Sequence, residues 1–166
     1  MNYTTPSGFR DILADEAARR EEAAFEVQQL LSENGYVPVE TPTLEIMDVM
    51  NAGGRVPGTP FKLFDSRGDL LALRPDVTLQ IARMCATRLA GQPGPFRFRY
   101  QERVFREAEG RPQAEAREMT QVGVELIGEA GPAADAEVIA LLAESLEQIG
   151  VGDFRISVAT VGVLRA

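Results

Sequence analysis

Two long runs, "PFRFRYQERVF" (Pro95–Phe105) and "EMTQVGVELIG" (Glu118–Gly128), leave a chain of this kind few folds to choose from. The first is rich in aromatics and the second in branched residues, and they flank a charged segment punctuated by Gly110 and Pro112. They read as two partnered strands with a loop between them. A hairpin of that length is stable only if one face is covered, and two helical patterns can cover it. Asp15–Asn34 reads as an amphipathic helix with Ala17, Ala24, Val27 and Leu31 on one stripe. Asp15 and Glu16 suit its first turn, and Gly35 suits the position just past its end. "PAADAEVIALLAESLEQIG" reads as another helix, with Val138, Leu141, Leu142, Leu146 and Ile149 facing inward.

The remaining segments fit around this frame. "YVPVETPTLE" is extended, and Pro38 and Pro42 place it at an edge or an interface rather than inside a sheet. Asn51–Pro60, dense in Gly and Pro, is a loop that either covers a ligand or simply connects. Phe61–Asp65 and Leu70–Arg74 form a second hairpin around a turn at Ser66–Asp69. "VTLQIARMCATRLA" turns helical, with Ile81, Met84, Cys85 and Leu89 at helical spacing. "DFRISVATVGVLRA" begins a further strand and stops without a turn or cap, which predicts that the domain continues past Ala166. The expected architecture is α+β over residues 1–166.

Composition narrows the function. At 166 residues and 45% hydrophobic, the chain can bury a core. No stretch reaches the apolar length that spans a bilayer, and Met1–Gly8 carries no signal-peptide core. The single cysteine, Cys85, cannot form a disulfide within the chain; it fits a reducing cytoplasm, and its ordinary role is packing. Seventeen basic residues against 25 acidic give a net charge of −8, which argues against a nucleic-acid partner because phosphate contacts need a basic face. Histidine is absent, which excludes Ser-His-Asp and Cys-His catalysis and every His-ligated metal site within the chain. Neither a cysteine cluster nor a phosphate-binding glycine motif takes their place, so no metal and no cofactor are expected.

The second long strand carries the candidate site. Thr120, Val122, Val124 and Leu126 share one face and suit the core, while Met119, Gln121, Gly123 and Glu125 share the other. Gly123 leaves room between two polar groups, the floor of a small pocket for a polar or cationic ligand. An ordinary solvated sheet face satisfies the same pattern. In "LRPDVT", Asp76 and Thr78 open the next helix, where they either cap it or present a carboxylate and a hydroxyl to an ammonium group.

These residues carry a resemblance. "SGFRDILADEAARREEAAFEVQQLLSENGYVPVETPTLE", "LALRPDVTLQIAR" and "FRYQERVFRE…EMTQVGVELIG" resemble the catalytic-domain fold of class II aminoacyl-tRNA synthetases, in the histidyl branch. The first is similar to motif 1, with Pro42 as its dimer-interface proline, and the hairpin to motif 2, with Arg106 as its arginine. The resemblance spans nearly the entire chain and implies a mostly antiparallel sheet flanked by helices and dimerisation through motif 1. The branch contains histidyl-tRNA synthetase and its catalytically inactive paralogue, the regulatory subunit of ATP phosphoribosyltransferase. "VGVLRA" and "LRPDVT", in place of the synthetase form "LRPEGT", are closer to the paralogue, although Thr160 stands where that family often has a histidine.

By resemblance, Asp76 and Thr78 match the residues that hold the ammonium group of histidine, Gln121 and Glu125 those that line its pocket, and Arg106 the arginine that holds its carboxylate. This tips the choice on the strand toward a pocket. The motif 2 loop carries Glu107, Glu109, Glu115 and Glu118 against Arg111 and Arg117, a poor seat for triphosphate. The implied function is therefore non-catalytic. It would be a homodimer within a hetero-oligomer that activates a short ATP phosphoribosyltransferase catalytic subunit and binds L-histidine as feedback signal. The alternatives are a fragment of a histidyl-tRNA synthetase and a stand-alone paralogue serving another ligand.

Overall fold

The computed structural model describes residues 4–53, 58–107 and 116–159. Helix α1 (Ala14–Glu33) leads into strand β1 (Val37–Pro38) through a turn closed by two backbone bonds, Gly35 N–H to Ser32 O (3.0 Å) and Tyr36 N–H to Leu31 O (3.1 Å). Gly35 adopts φ +83°, the left-handed conformation that this helix ending requires and that costs glycine nothing. The turn delivers Tyr36 into the core, where it is 1% exposed.

Strands β2 (Leu44–Ile46), β3 (Lys62–Phe64) and β4 (Leu70–Leu73) form one small sheet in the order β2-β4-β3, antiparallel throughout. Strands β5 (Phe96–Phe105) and β6 (Glu118–Ile127) form the long hairpin, with ten residues paired from Phe96↔Ile127 to Phe105↔Glu118. β1 joins β5 in parallel at the opposite edge, where Pro38 lacks only a hydrogen bond that an edge strand can spare. Helices α3 (Thr78–Thr87) and α4 (Pro132–Gln148) complete the frame.

The hairpin separates two cores. On one face Phe98, Tyr100 and Val104 of β5 pack with Val77 and Ile81 at the start of α3, and Cys85 lies against this cluster. On the other, Val122 and Val124 of β6 pack with Leu31, Tyr36 and Leu141 from α1, its turn and α4.

Four expectations change. The inward stripes of the two long helices stop short: Ala17 is exposed, as are Leu142 (50%) and Ile149 (37%). These positions line an open groove of about 1130 Å³ between the start of α1 and the end of α4, beside Met119 and Val122. The segment Asn51–Pro60 begins inside a short helix, α2 (Met47–Ala52), which places Met50 in the core; residues 54–57 lie outside the described residues. Asp153–Ala159 forms no strand among the described residues, because no neighbouring strand there pairs with it; Thr160 and "VGVLRA" lie outside them. Finally, the space above Gly123 is not open, because the Tyr100 ring fills it. No helix among the described residues is long and apolar enough to cross a membrane.

Candidate ligand-binding site

The site forms where the β4–α3 turn meets the α3-facing side of the hairpin. The buried Arg74 fixes that turn: its guanidinium donates to Arg103 O and Thr41 O (both 2.7 Å) and pairs with Glu102. Phe105 N–H closes the junction by donating to Arg74 O at 2.9 Å. Asp76, two residues on, accepts from the Thr78 amide at 2.8 Å in a local turn one residue ahead of the helix N-cap, Val77, which has no side-chain cap of its own. The second Asp76 oxygen turns toward the sheet, accepts from Gln121 Nε2 at 3.3 Å and lies 3.9 Å from Arg106 Nη2. Thr78 hydroxyl donates to Glu125 Oε1 at 2.6 Å. Arg106 Nε donates to Pro75 O at 2.8 Å, which brings the guanidinium to the same turn.

Asp76, Thr78, Arg106, Gln121 and Glu125 therefore form one connected network. Alternation had placed Gln121 and Glu125 on one face; the fold adds the other three. The balance of the network is towards acceptors. Gln121 spends its amide on Asp76, and its Oε1 is buried without a partner. Burial holds the Glu125 carboxyl above its usual range and the nearby Asp76 charge adds to this, while the Thr78 hydroxyl works against it. Two carboxylates and a free amide oxygen suit a ligand carrying several N–H donors, and Arg106 can meet an opposing carboxylate. Among the described residues no group of His, Cys, Asp or Glu side chains has the arrangement of a metal site.

Sequence reasoning missed three residues, two that build the site and one that anchors the strand beside it. Tyr100, 5% exposed, lies directly opposite Gly123 in the β5–β6 register and fills the space above it; a Cβ on Gly123 would lie 2.5 Å from the phenol oxygen. The register itself is the signal that would have found it, since pairing Phe96 with Ile127 sets an aromatic against a glycine. Arg74 is the second. Arg117, counted only as a loop charge, is the third: it pairs with Glu107, donates to Ser7 O at 3.2 Å and lies over the Phe61 ring at 4.4 Å. Glu118 is likewise tied, to Arg103 at 2.6 Å, so two of the loop acids have cationic partners; Glu109, Arg111 and Glu115 lie outside the described residues. Pro42 is exposed on the loop between β1 and β2, where its carbonyl accepts from Gln80 Nε2 at 2.8 Å.

The fold defines a class II synthetase-like domain, and comparison with known proteins agrees. The family model described as histidyl-tRNA synthetase matches residues 8–166. The ATP phosphoribosyltransferase regulatory subunit of Desulfitobacterium hafniense (strain DSM 10664 / DCB-2) is 44% identical over 98% of this chain and 42% of its own length. That of Moorella thermoacetica is 42% identical over 96% of this chain and 41% of its own. Among solved structures, an ATP phosphoribosyltransferase regulatory subunit/histidyl-tRNA synthetase from Bacillus halodurans superposes with a TM-score of 0.82 at 35% identity, over 92% of this chain and 39% of that one. Apo histidyl-tRNA synthetase from S. aureus gives 0.74 at 25% identity, over 89% and 35%. The chain belongs to the histidyl-tRNA synthetase family and has its class II fold. It spans about two fifths of the length of these relatives.

Proposed function

We propose that the protein is a regulatory subunit of ATP phosphoribosyltransferase, non-catalytic itself, which binds L-histidine and works in the cytoplasm. The observation that carries this reading is the single network of Asp76, Thr78, Arg106, Gln121 and Glu125, in a chain whose relatives at 44% and 42% identity bear that name. Asp76 takes the ammonium group, Glu125 and Gln121 take the remaining N–H donors, and Arg106 takes the carboxylate. Transfer of the phosphoribosyl group belongs to a short catalytic partner, and histidine bound here lowers the partner's output.

A homodimer through the Pro42 region is part of the reading. Leu44, Ile46, Leu63, Leu71 and Leu73 share one face of the small sheet, and three of them stay exposed, Ile46 at 53%. The polar Glu45 is turned inward instead, held by Arg83 at 2.7 Å. An apolar face left open while a carboxylate is buried fits a surface covered by a second copy. An Ile46→Glu variant should run as a monomer in sedimentation; an unchanged dimer would remove this surface.

The test of function is reconstitution. The protein in its longest natural form is mixed with the short catalytic subunit, ATP and phosphoribosyl pyrophosphate. Phosphoribosyl-ATP should form only on mixing. A second reading, favoured by the family model's description, is part of a histidyl-tRNA synthetase; it requires histidine-dependent ATP–pyrophosphate exchange and no activation of the partner.

A further inference from the structure

Arg106 is held from three sides. Its Nε donates to Pro75 O at 2.8 Å, and its amide donates to Arg117 O at 3.0 Å. Gly58 lies against its stem: an ideal Cβ there would stand 3.4 Å from both Cβ and Cδ of Arg106. The φ of Gly58 is +70°, a conformation that favours glycine. Next along the strand, the Glu107 amide donates to Thr59 O at 2.8 Å.

Continuing the β5–β6 register past Phe105↔Glu118 sets Arg106 opposite Arg117. Like charges so opposed repel, and here each is drawn to a different acid. Arg106 turns toward Asp76, while Arg117 pairs with Glu107. The Arg117 guanidinium also donates to Ser7 O at 3.2 Å and lies over the rings of Phe61 (4.4 Å) and Phe9 (5.6 Å). Its amide leaves the hairpin ladder and donates to Gly8 O at 2.9 Å. Arg117 thus grips Ser7–Phe9, the stretch ahead of α1, with its amide and side chain, and grips Arg106 with its carbonyl. Its side chain is 18% exposed, and its Nε is buried without a hydrogen-bond partner among the described residues. That placement costs stability, so stability is a poor account of it.

We propose that Arg117 is a positioning residue of the site: by tying Ser7–Phe9 to the end of the hairpin, it holds Arg106 where the guanidinium can meet a ligand's carboxylate. The inference rests on the reading of the site as a histidine pocket. Arg117 itself touches no ligand. What it sets is the preference for a ligand that carries a carboxylate, because a forked contact depends closely on the placement of its guanidinium.

The experiment is calorimetric titration of the protein, in its longest natural form, with L-histidine and with histamine, the same molecule without its carboxylate. Wild type should prefer L-histidine by about tenfold or more, as a charge-assisted bond allows. Arg106→Met should lower that preference to about one, and Arg117→Met should lower it to about threefold or less, with histamine affinity nearly unchanged in both. A role in stability alone would weaken both ligands together and leave the preference at its wild-type value. That result in Arg117→Met, with the preference lost in Arg106→Met, overturns the inference and leaves the pocket standing. Should Arg117→Met fail to fold, Arg117→Lys keeps the charge and loses the fork, and a wild-type preference there overturns the inference equally. Wild-type protein that binds neither ligand, or binds histamine as tightly as L-histidine, would instead overturn the histidine pocket, and the inference with it.

Discussion

The two faces of the β5–β6 hairpin share one backbone ladder and differ in everything their side chains do. On the α1/α4 side, Val122 and Val124 meet Leu31, Tyr36 and Leu141, and the main polar contact, Tyr36 hydroxyl to Glu137 at 2.8 Å, is satisfied within the protein. Burial, followed by the adjacent Glu137, pushes the Tyr36 phenol up to about 12. On the α3 side, β6 offers Gln121 and Glu125 to a turn that carries another carboxylate, and an amide oxygen is left without a partner. Around these residues the first face is packed and its polar contact closed within the protein. The second keeps one buried amide oxygen, Gln121 Oε1, without a partner beside two carboxylates, the expected signature of a binding surface.

This contrast predicts how substitutions separate stability from binding. The largest stability effect should come from the apolar face. Leu141→Ala should cost about 2–5 kcal/mol in chemical denaturation while leaving the histidine affinity of the folded protein unchanged. Gly123→Ala, on the other face, should cost about 1–3 kcal/mol, because the new methyl meets the Tyr100 phenol at 2.5 Å, and affinity should fall with it as the ring is displaced. Gln121→Ala should shift the denaturation midpoint little yet weaken histidine binding by about 10- to 100-fold, as loss of a charge-assisted contact does.

The smallest effect is a pH dependence. Burial leads the causes that raise Glu125 in the folded protein, so its contribution is fully present below the unfolded pKa and is lost as pH rises through the folded one. The ligand-free protein should therefore lose a little stability across that window, and Glu125→Gln should flatten the slope in pH-dependent melting. An unchanged slope would mean that Glu125 is solvated like any surface carboxylate.

Much of this was legible in the sequence because it depends on period alone. Alternation assigned Val122 and Val124 to one face and Gln121 and Glu125 to the other, and helical spacing found α1, α3 and α4 to within a few residues. What escaped depends on register and on the reach of helices across the sheet. Tyr100 could not be matched to Gly123 without the ten-residue pairing, so the glycine read as vacant space. Leu142 and Ile149 read as core because their spacing is right, but they line the open groove between α1 and α4. Arg74 looked like the end of a strand; only the tertiary fold shows it gathering Thr41, Glu102 and Arg103 around the turn that presents Asp76.

The most direct test of the account uses Glu125→Gln in the reconstituted enzyme, with L-histidine titrated against phosphoribosyl-ATP formation. The variant should still activate the catalytic subunit, and its inhibition by histidine should need about tenfold more ligand or more. Activation with an inhibition curve identical to wild type would contradict it, because the polar face of the hairpin would then not be where histidine is sensed.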